Sequence, residues 1–135
     1  MLRCSVGGPG QWEKGGGCMA TLGILLTGGP FQIERWETAV DIGDAALAKG
    51  HGVKYFLYLD GVYNPIQHQT FPDLPEMPKD RIKRLIDNGA EIICCGVCVN
   101  ARGLQGGKEY VEGARVGGLP DFAEIVGEVD RLVAL

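Results

Sequence analysis

Leu22-Gly23-Ile24-Leu25-Leu26-Thr27 is a short continuous apolar run that stops at Gly28-Gly29-Pro30. A run of this length, bounded by turn residues, predicts a strand buried on both faces. Beyond the turn the period changes. Ile33, Trp36, Val40 and Leu47 recur at helical spacing through residues 31–49, with small Ala39, Gly43 and Ala46 between them. That pattern predicts a helix with one face packed on a sheet, and Gly50 is read as its C-terminal cap. Val53-Lys54-Tyr55-Phe56-Leu57-Tyr58-Leu59 then predicts a second strand, ended by Asp60-Gly61. A strand, a helix and a strand at this spacing imply a parallel pair joined by a right-handed crossover.

Residues 62–78 contain Pro65, Pro72, Pro75 and Pro78, which argues for a long loop. Residues 79–88 follow as a helix with Ile82, Leu85 and Ile86 inward, closed by Asn88-Gly89. Residues 91–95 form a third strand. Residues 97–104 open a short helix that Gln105-Gly106-Gly107 breaks, and residues 113–118 give a short fourth strand. Leu119-Pro120-Asp121 starts another helix, with Asp121 read as its cap and Phe122, Ile125, Val126 and Val129 along it. Residues 131–135 close the chain as a fifth strand. This alternation predicts an α/β fold: a three-layer α/β/α sandwich around a mostly parallel five-stranded sheet, a flavodoxin-like single domain over residues 19–135. Such sheets collect their chemistry at the C-terminal strand edge, where the Gly28-Gly29-Pro30 turn and the turn between Cys95 and Cys98 both fall.

Six of the 22 glycines fall before residue 18. Residues 1–18 lack apolar periodicity and are expected to be a flexible Gly-rich extension, because they bury too little apolar surface to offset their ordering entropy. Met19 is either the genuine start or follows an added leader. Cys4 and Cys18 are read as exposed thiols without a function. The formal charge of −4 gives no support to a nucleic-acid partner. No apolar run is long enough to span a membrane, and the N-terminus lacks a signal-peptide core, so the expectation is a cytoplasmic protein.

In a reducing compartment clustered cysteines point to catalysis or metal binding before disulfides. Zinc wants two cysteine or histidine pairs. Here one Cys-x-x-Cys stands alone, His51 and His68 lie in unrelated contexts, and neither a metal nor a cofactor is expected. Cys94, Cys95 and Cys98 are three of the five cysteines and lie within five positions. Cys94 continues the apolar strand and fits a small buried hydrophobe. Cys95 sits at the strand end, and Cys98 follows the Gly96 turn before polar Asn100 and Arg102. First-turn N–H groups and Arg102, one helical turn on, would favour a thiolate at Cys98. The candidate site is therefore Cys98, Cys95 and Arg102. Tyr63 or His68 would join it only if the proline-rich loop folded over the cysteines, and Trp36 and Tyr58 are read as core or interface aromatics.

Thr27-Gly28-Gly29-Pro30, Glu34-Arg35, residues 44–51, Tyr58-Leu59-Asp60-Gly61-Val62-Tyr63 and residues 95–104 together resemble the DsrE/DsrF-like family. Gly117-Gly118-Leu119, Asp121-Phe122 and Asp130-Arg131 are similar to its closing segment. The resemblance spans roughly residues 19–135. It implies a small parallel α/β domain assembling into homotrimers or homohexamers, with sulfur donor and acceptor proteins as partners, no direct nucleic acid and no membrane. It also implies sulfur relay through a persulfide on Cys98, of the tRNA-thiolation or sulfur-oxidation type. Cys95 has a counterpart only in the Cys-Gly-x-Cys subgroup, similar to the YchN type, which weakens transfer of the tRNA-thiolation role. Two other readings stand beside sulfur relay: a Cys95/Cys98 dithiol oxidoreductase or redox sensor, and an oligomeric small-ligand binding module using Gly28-Gly29-Pro30.

Overall fold

A computed structural model describes residues 19–135; the expectations for residues 1–18, Cys4 and Cys18 included, fall outside the described residues. Five strands, β1 (Thr21–Leu26), β2 (Gly52–Leu57), β3 (Glu91–Cys95), β4 (Ala114–Gly117) and β5 (Arg131–Ala134), form one sheet in the order β4-β3-β2-β1-β5. All neighbouring pairs are parallel. The order differs from the 2-1-3-4-5 arrangement of flavodoxin. Four α-helices, α1 (Arg35–Ala48), α2 (Pro78–Asp87), α3 (Gly96–Ala101) and α4 (Leu119–Glu128), and one 3-10 helix, Leu59–Tyr63, connect the strands.

Register decides which side chains meet. Ile24, Tyr55 and Ile92 lie in line across β1, β2 and β3, as do Leu26, Leu57 and Cys94. Side chains alternate along a strand, so both rows point to one face. There α1 covers them: the Tyr55 hydroxyl donates to the Ala39 carbonyl of α1 at 2.8 Å. Gly43 of α1 leaves room for that ring, since a Cβ there would stand 1.8 Å from the Tyr55 oxygen. Beside α1 lies α2, held by the Arg84–Asp44 pair at 3.2 Å and by Arg81, which pairs with Asp41 and stacks over Trp36. On the opposite face Phe56 meets Phe122 of α4, with ring centroids 4.9 Å apart. The result is the expected three-layer sandwich.

Several boundaries differ from the sequence expectation, each for a local reason. Residues 31–34 form a turn before α1 because Phe31 takes a left-handed φ of 64°. β2 stops at Leu57, and Leu59, also left-handed at φ 51°, turns the chain into the 3-10 helix. α3 starts at Gly96 and ends at Ala101. Asp121 caps α4 from inside its first turn, accepting the Gly118 N–H at 2.7 Å, while Gly118 is the N-cap. Gly50 and Gly89, at φ 80° and 101°, end α1 and α2 as expected.

The proline-rich segment before α2 is pinned at several points. Val111 N–H donates to the Pro65 carbonyl at 2.9 Å and Gln67 N–H to the Glu109 carbonyl at 2.8 Å. Phe71 stacks on Phe31 with centroids 5.1 Å apart. Among the described residues no helix is long and apolar enough to cross a membrane.

Candidate functional site

β3 delivers its two cysteines to opposite faces. Cys94 lies on the α1 side, fully buried, beside Tyr110, whose hydroxyl donates to the Val62 carbonyl at 2.8 Å. Burial, the largest effect, pushes the Cys94 thiol up to about 12. Cys95 ends the strand, buried on the α4 side. The chain enters α3 at once through Gly96, where a Cβ would stand 2.9 Å from the Gly117 carbonyl oxygen.

Cys98 is the third residue of the six-residue helix α3 and only 6% exposed. Its sulfur is met by the turn that follows β2: the backbone N–H of Leu59 donates to Cys98 Sγ at 3.3 Å. That N–H is aimed by the left-handed conformation of Leu59, which a leucine adopts at a cost of roughly 1–2 kcal/mol. The turn is clamped to the end of β1. Gly61 N–H donates to the Thr27 carbonyl at 3.1 Å, and a Cβ on Gly61 would stand 2.2 Å from the Leu26 carbonyl oxygen. Fully buried Asn64 donates through Nδ2 to the Gly28 and Gly61 carbonyls, both at 2.9 Å.

Arg102, the C-cap of α3, reaches over the same turn. Its Nε and Nη2 both donate to Asp60 Oδ1, at 2.8 and 2.7 Å. Nη1 donates to the Cys98 carbonyl at 3.3 Å, and the guanidinium lies 6.0 Å from the Tyr63 ring centroid. Gln32 Nε2 donates to Asp60 Oδ2 at 3.3 Å, and Gln32 Oε1 accepts the Gly29 N–H at 3.2 Å. The turns after β1, β2 and β3 are thereby joined in one chain of polar contacts at the C-terminal edge of the sheet.

The electrostatics correct the sequence expectation. The Cys98 thiol is raised above its ordinary value, first by burial and next by the neighbouring Cys95 side chain. The Leu59 N–H and the Arg102 charge act in the opposite sense and are outweighed. Two features limit the effects that oppose burial. A helix of six residues sums few peptide dipoles. Arg102 directs two donors to Asp60, whose carboxyl is lowered first by that contact. Burial therefore favours the thiol over the thiolate at Cys98.

Residues 20–135 match the DsrE/DsrF-like family. The chain belongs to that family. It is 31% identical to an uncharacterized protein of Methanopyrus kandleri, over 82% of this chain and 89% of that protein. An uncharacterized protein of Methanocaldococcus jannaschii is 32% identical, over 82% of this chain and 95% of its own length. The putative sulfurtransferase DsrE of Allochromatium vinosum is 27% identical, over 82% of this chain and 94% of that protein. In three dimensions the crystal structure of the ychN protein from E. coli superposes with a TM-score of 0.80 at 18% identity, covering 87% of this chain and all of that one. That likeness is one of fold.

In this DsrE/DsrF-like chain Cys95, Cys98 and Arg102 are brought together, and Tyr63 joins them through Arg102. His68 and Asn100 are exposed. The Gly29 N–H is taken by Gln32. Sequence reasoning missed Leu59, Asp60, Gln32 and Asn64 as parts of the site. Asp60-Gly61 carried a signal, but only as the end of a strand. Among the described residues no group of three or more His, Cys, Asp or Glu side chains is placed to hold a metal ion.

Proposed function

We propose that this DsrE/DsrF-like protein is a sulfur-relay protein that carries sulfur as a persulfide on Cys98 between a donor and an acceptor protein. The observation that carries the reading is the Cys98 sulfur, held at the C-terminal sheet edge by a backbone N–H of another turn, with a guanidinium one helical turn away. The similarity to a protein named a putative sulfurtransferase points the same way. On this reading the Cys98 thiolate attacks the outer sulfur of a donor persulfide. A new S–S bond forms at Cys98, the donor S–S bond breaks, and the donor leaves as a thiolate. An acceptor thiolate later removes the outer sulfur in the same way. Cys98 is the nucleophile, Cys95 is the thiol beside it, and Arg102 offers a positive charge one helical turn away. The working protein is a cytoplasmic homotrimer or homohexamer in this proposal.

Intact-protein mass spectrometry after incubation with polysulfide tests the proposal, in a chain with Cys4 and Cys18 replaced by serine. Reducible sulfur addition that persists in Cys95→Ser and vanishes in Cys98→Ser is the expected result. Sulfur addition surviving in Cys98→Ser overturns Cys98 as the carrier.

The nearness of Cys95 to Cys98 favours one second reading, a dithiol oxidoreductase. Loss of two hydrogens under mild oxidant, with no sulfur uptake in any variant, is the outcome that would put it first.

A further inference from the structure

Arg102 and Cys98 share α3 and its cap, yet the arginine does not offer its strongest donors to the sulfur. Nε and Nη2 both converge on one oxygen of Asp60. The other oxygen of Asp60 is held by Gln32, which is itself anchored on the Gly29 backbone. Asp60 is therefore fixed from two sides, by the turn after β1 and by the arginine. The guanidinium retains only a longer contact to the Cys98 carbonyl and a position over Tyr63. A carboxylate that takes both donors offsets part of the field the arginine would otherwise project on a neighbouring sulfur anion.

We propose that Asp60 is a positioning residue that restrains Cys98: by holding Arg102 it keeps the guanidinium off the sulfur. The inference rests on Cys98 being the reactive sulfur of the proposed function. Neutralising Asp60, or pairing it with a cation brought by a docking protein, releases Arg102 to the Cys98 sulfur and stabilises the thiolate, and afterwards the persulfide anion. The titratable and charged groups around the sulfur are Cys95 from β3, Asp60 and Tyr63 from the 3-10 helix, Arg102 from α3 and Tyr110 from the segment before β4. Of these, Asp60 carries the negative charge that engages the arginine directly.

The test is the pH profile of Cys98 alkylation by iodoacetamide, read by peptide mass spectrometry in the full chain with Cys4 and Cys18 replaced by serine. It reports the thiol itself, so it stands or falls separately from sulfur uptake. Asp60→Asn is expected to move the profile to lower pH and to raise the alkylation rate at pH 7 by at least about threefold, the factor for half a pH unit of displacement. Loosening of the fold around Cys98 would also expose the thiol and move the profile to lower pH, but that effect would survive removal of the arginine, so the double variant separates the causes. With Arg102→Gln also present, the Asp60→Asn effect is expected to disappear. An unmoved or raised profile in Asp60→Asn overturns the proposal. So does an acceleration that persists with Arg102→Gln, because the aspartate would then act on the sulfur without the arginine. Asp60→Ser is expected to repeat the Asp60→Asn result, and its failure to do so counts against the proposal equally.

Discussion

The backbone N–H of Leu59 donates to the sulfur of Cys98 at 3.3 Å across 39 positions of sequence, and Leu59 holds a left-handed φ of 51° to do so. A branched side chain at Cβ tolerates that conformation worst and glycine best. Leu59→Gly keeps the donor and relieves the backbone, so it is expected to leave the pH profile of Cys98 alkylation in place, with stability changed by less than about 1 kcal/mol. Leu59→Val is expected to destabilise by about 1 kcal/mol or more and to move the profile to higher pH. Urea unfolding and iodoacetamide rates on the two variants check both statements; a profile equal in Val and Gly would deny the N–H its influence on the sulfur.

Gly61 tests the clamp beneath that donor. A methyl group there meets the Leu26 carbonyl oxygen, a backbone atom, at 2.2 Å, so the 3-10 helix must move as a unit. Gly61→Ala is expected to destabilise by about 2 kcal/mol or more. The same variant should shift Cys98 alkylation, because Leu59 moves with Gly61. A chain that unfolds at the same urea concentration as the parent would show the approach to be looser than described.

Alkaline stability follows from Cys94. Its folded-state value is raised to about 12 from an ordinary 9.0, so the unfolded chain loses the proton first. The stabilising preference is complete below about pH 9 and is lost as pH rises from there to about 12, by up to about 1.4 kcal/mol per pH unit. Cys94→Ala removes this dependence. Urea midpoints at pH 8.5 and pH 10.5 are expected to fall further in the parent than in the variant, and parallel falls in both would contradict the assignment.

The stacked Phe31 and Phe71 tie the proline-rich segment to the turn after β1. Phe71→Ala is expected to expose residues 64–77 to limited proteolysis several-fold faster, with the global unfolding free energy lowered by no more than about 1.5 kcal/mol. Cleavage at an unchanged rate would mean that the backbone contacts to Pro65 and Gln67 suffice.

Much of the fold was legible because the signals were periodic or abrupt. The sequence marks β3 to the residue, since an apolar run there ends in Cys-Gly, and α2 within one residue, since Pro78 and Gly89 mark its ends. Tyr58 and Leu59 continue the apolar pattern of the second strand in sequence, whereas the backbone reverses at Leu59 and β2 ends at Leu57. The cysteines and Arg102 were legible as residue types. Leu59 was not, because its contribution is an amide that every residue but proline possesses, and only its direction is special. Gln32 was hidden inside a stretch read as helix. The Cys98 thiol was expected to be acidified because spacing shows Arg102 one turn away, but it does not show the carboxylate of Asp60 arriving from 42 positions earlier.

The burial that quiets Cys98 exists only once β2 and β3 have paired and the Leu59 turn has closed over the sulfur. A chain still being synthesised, or one that has misfolded, carries an ordinary thiol that ionises more readily at neutral pH than the native one. Indiscriminate reactivity therefore belongs to the immature protein, open to any passing oxidant or disulfide. Maturation withdraws that reactivity, leaving a sulfur that responds to whatever can undo the contacts around it, so folding itself supplies the first layer of selectivity.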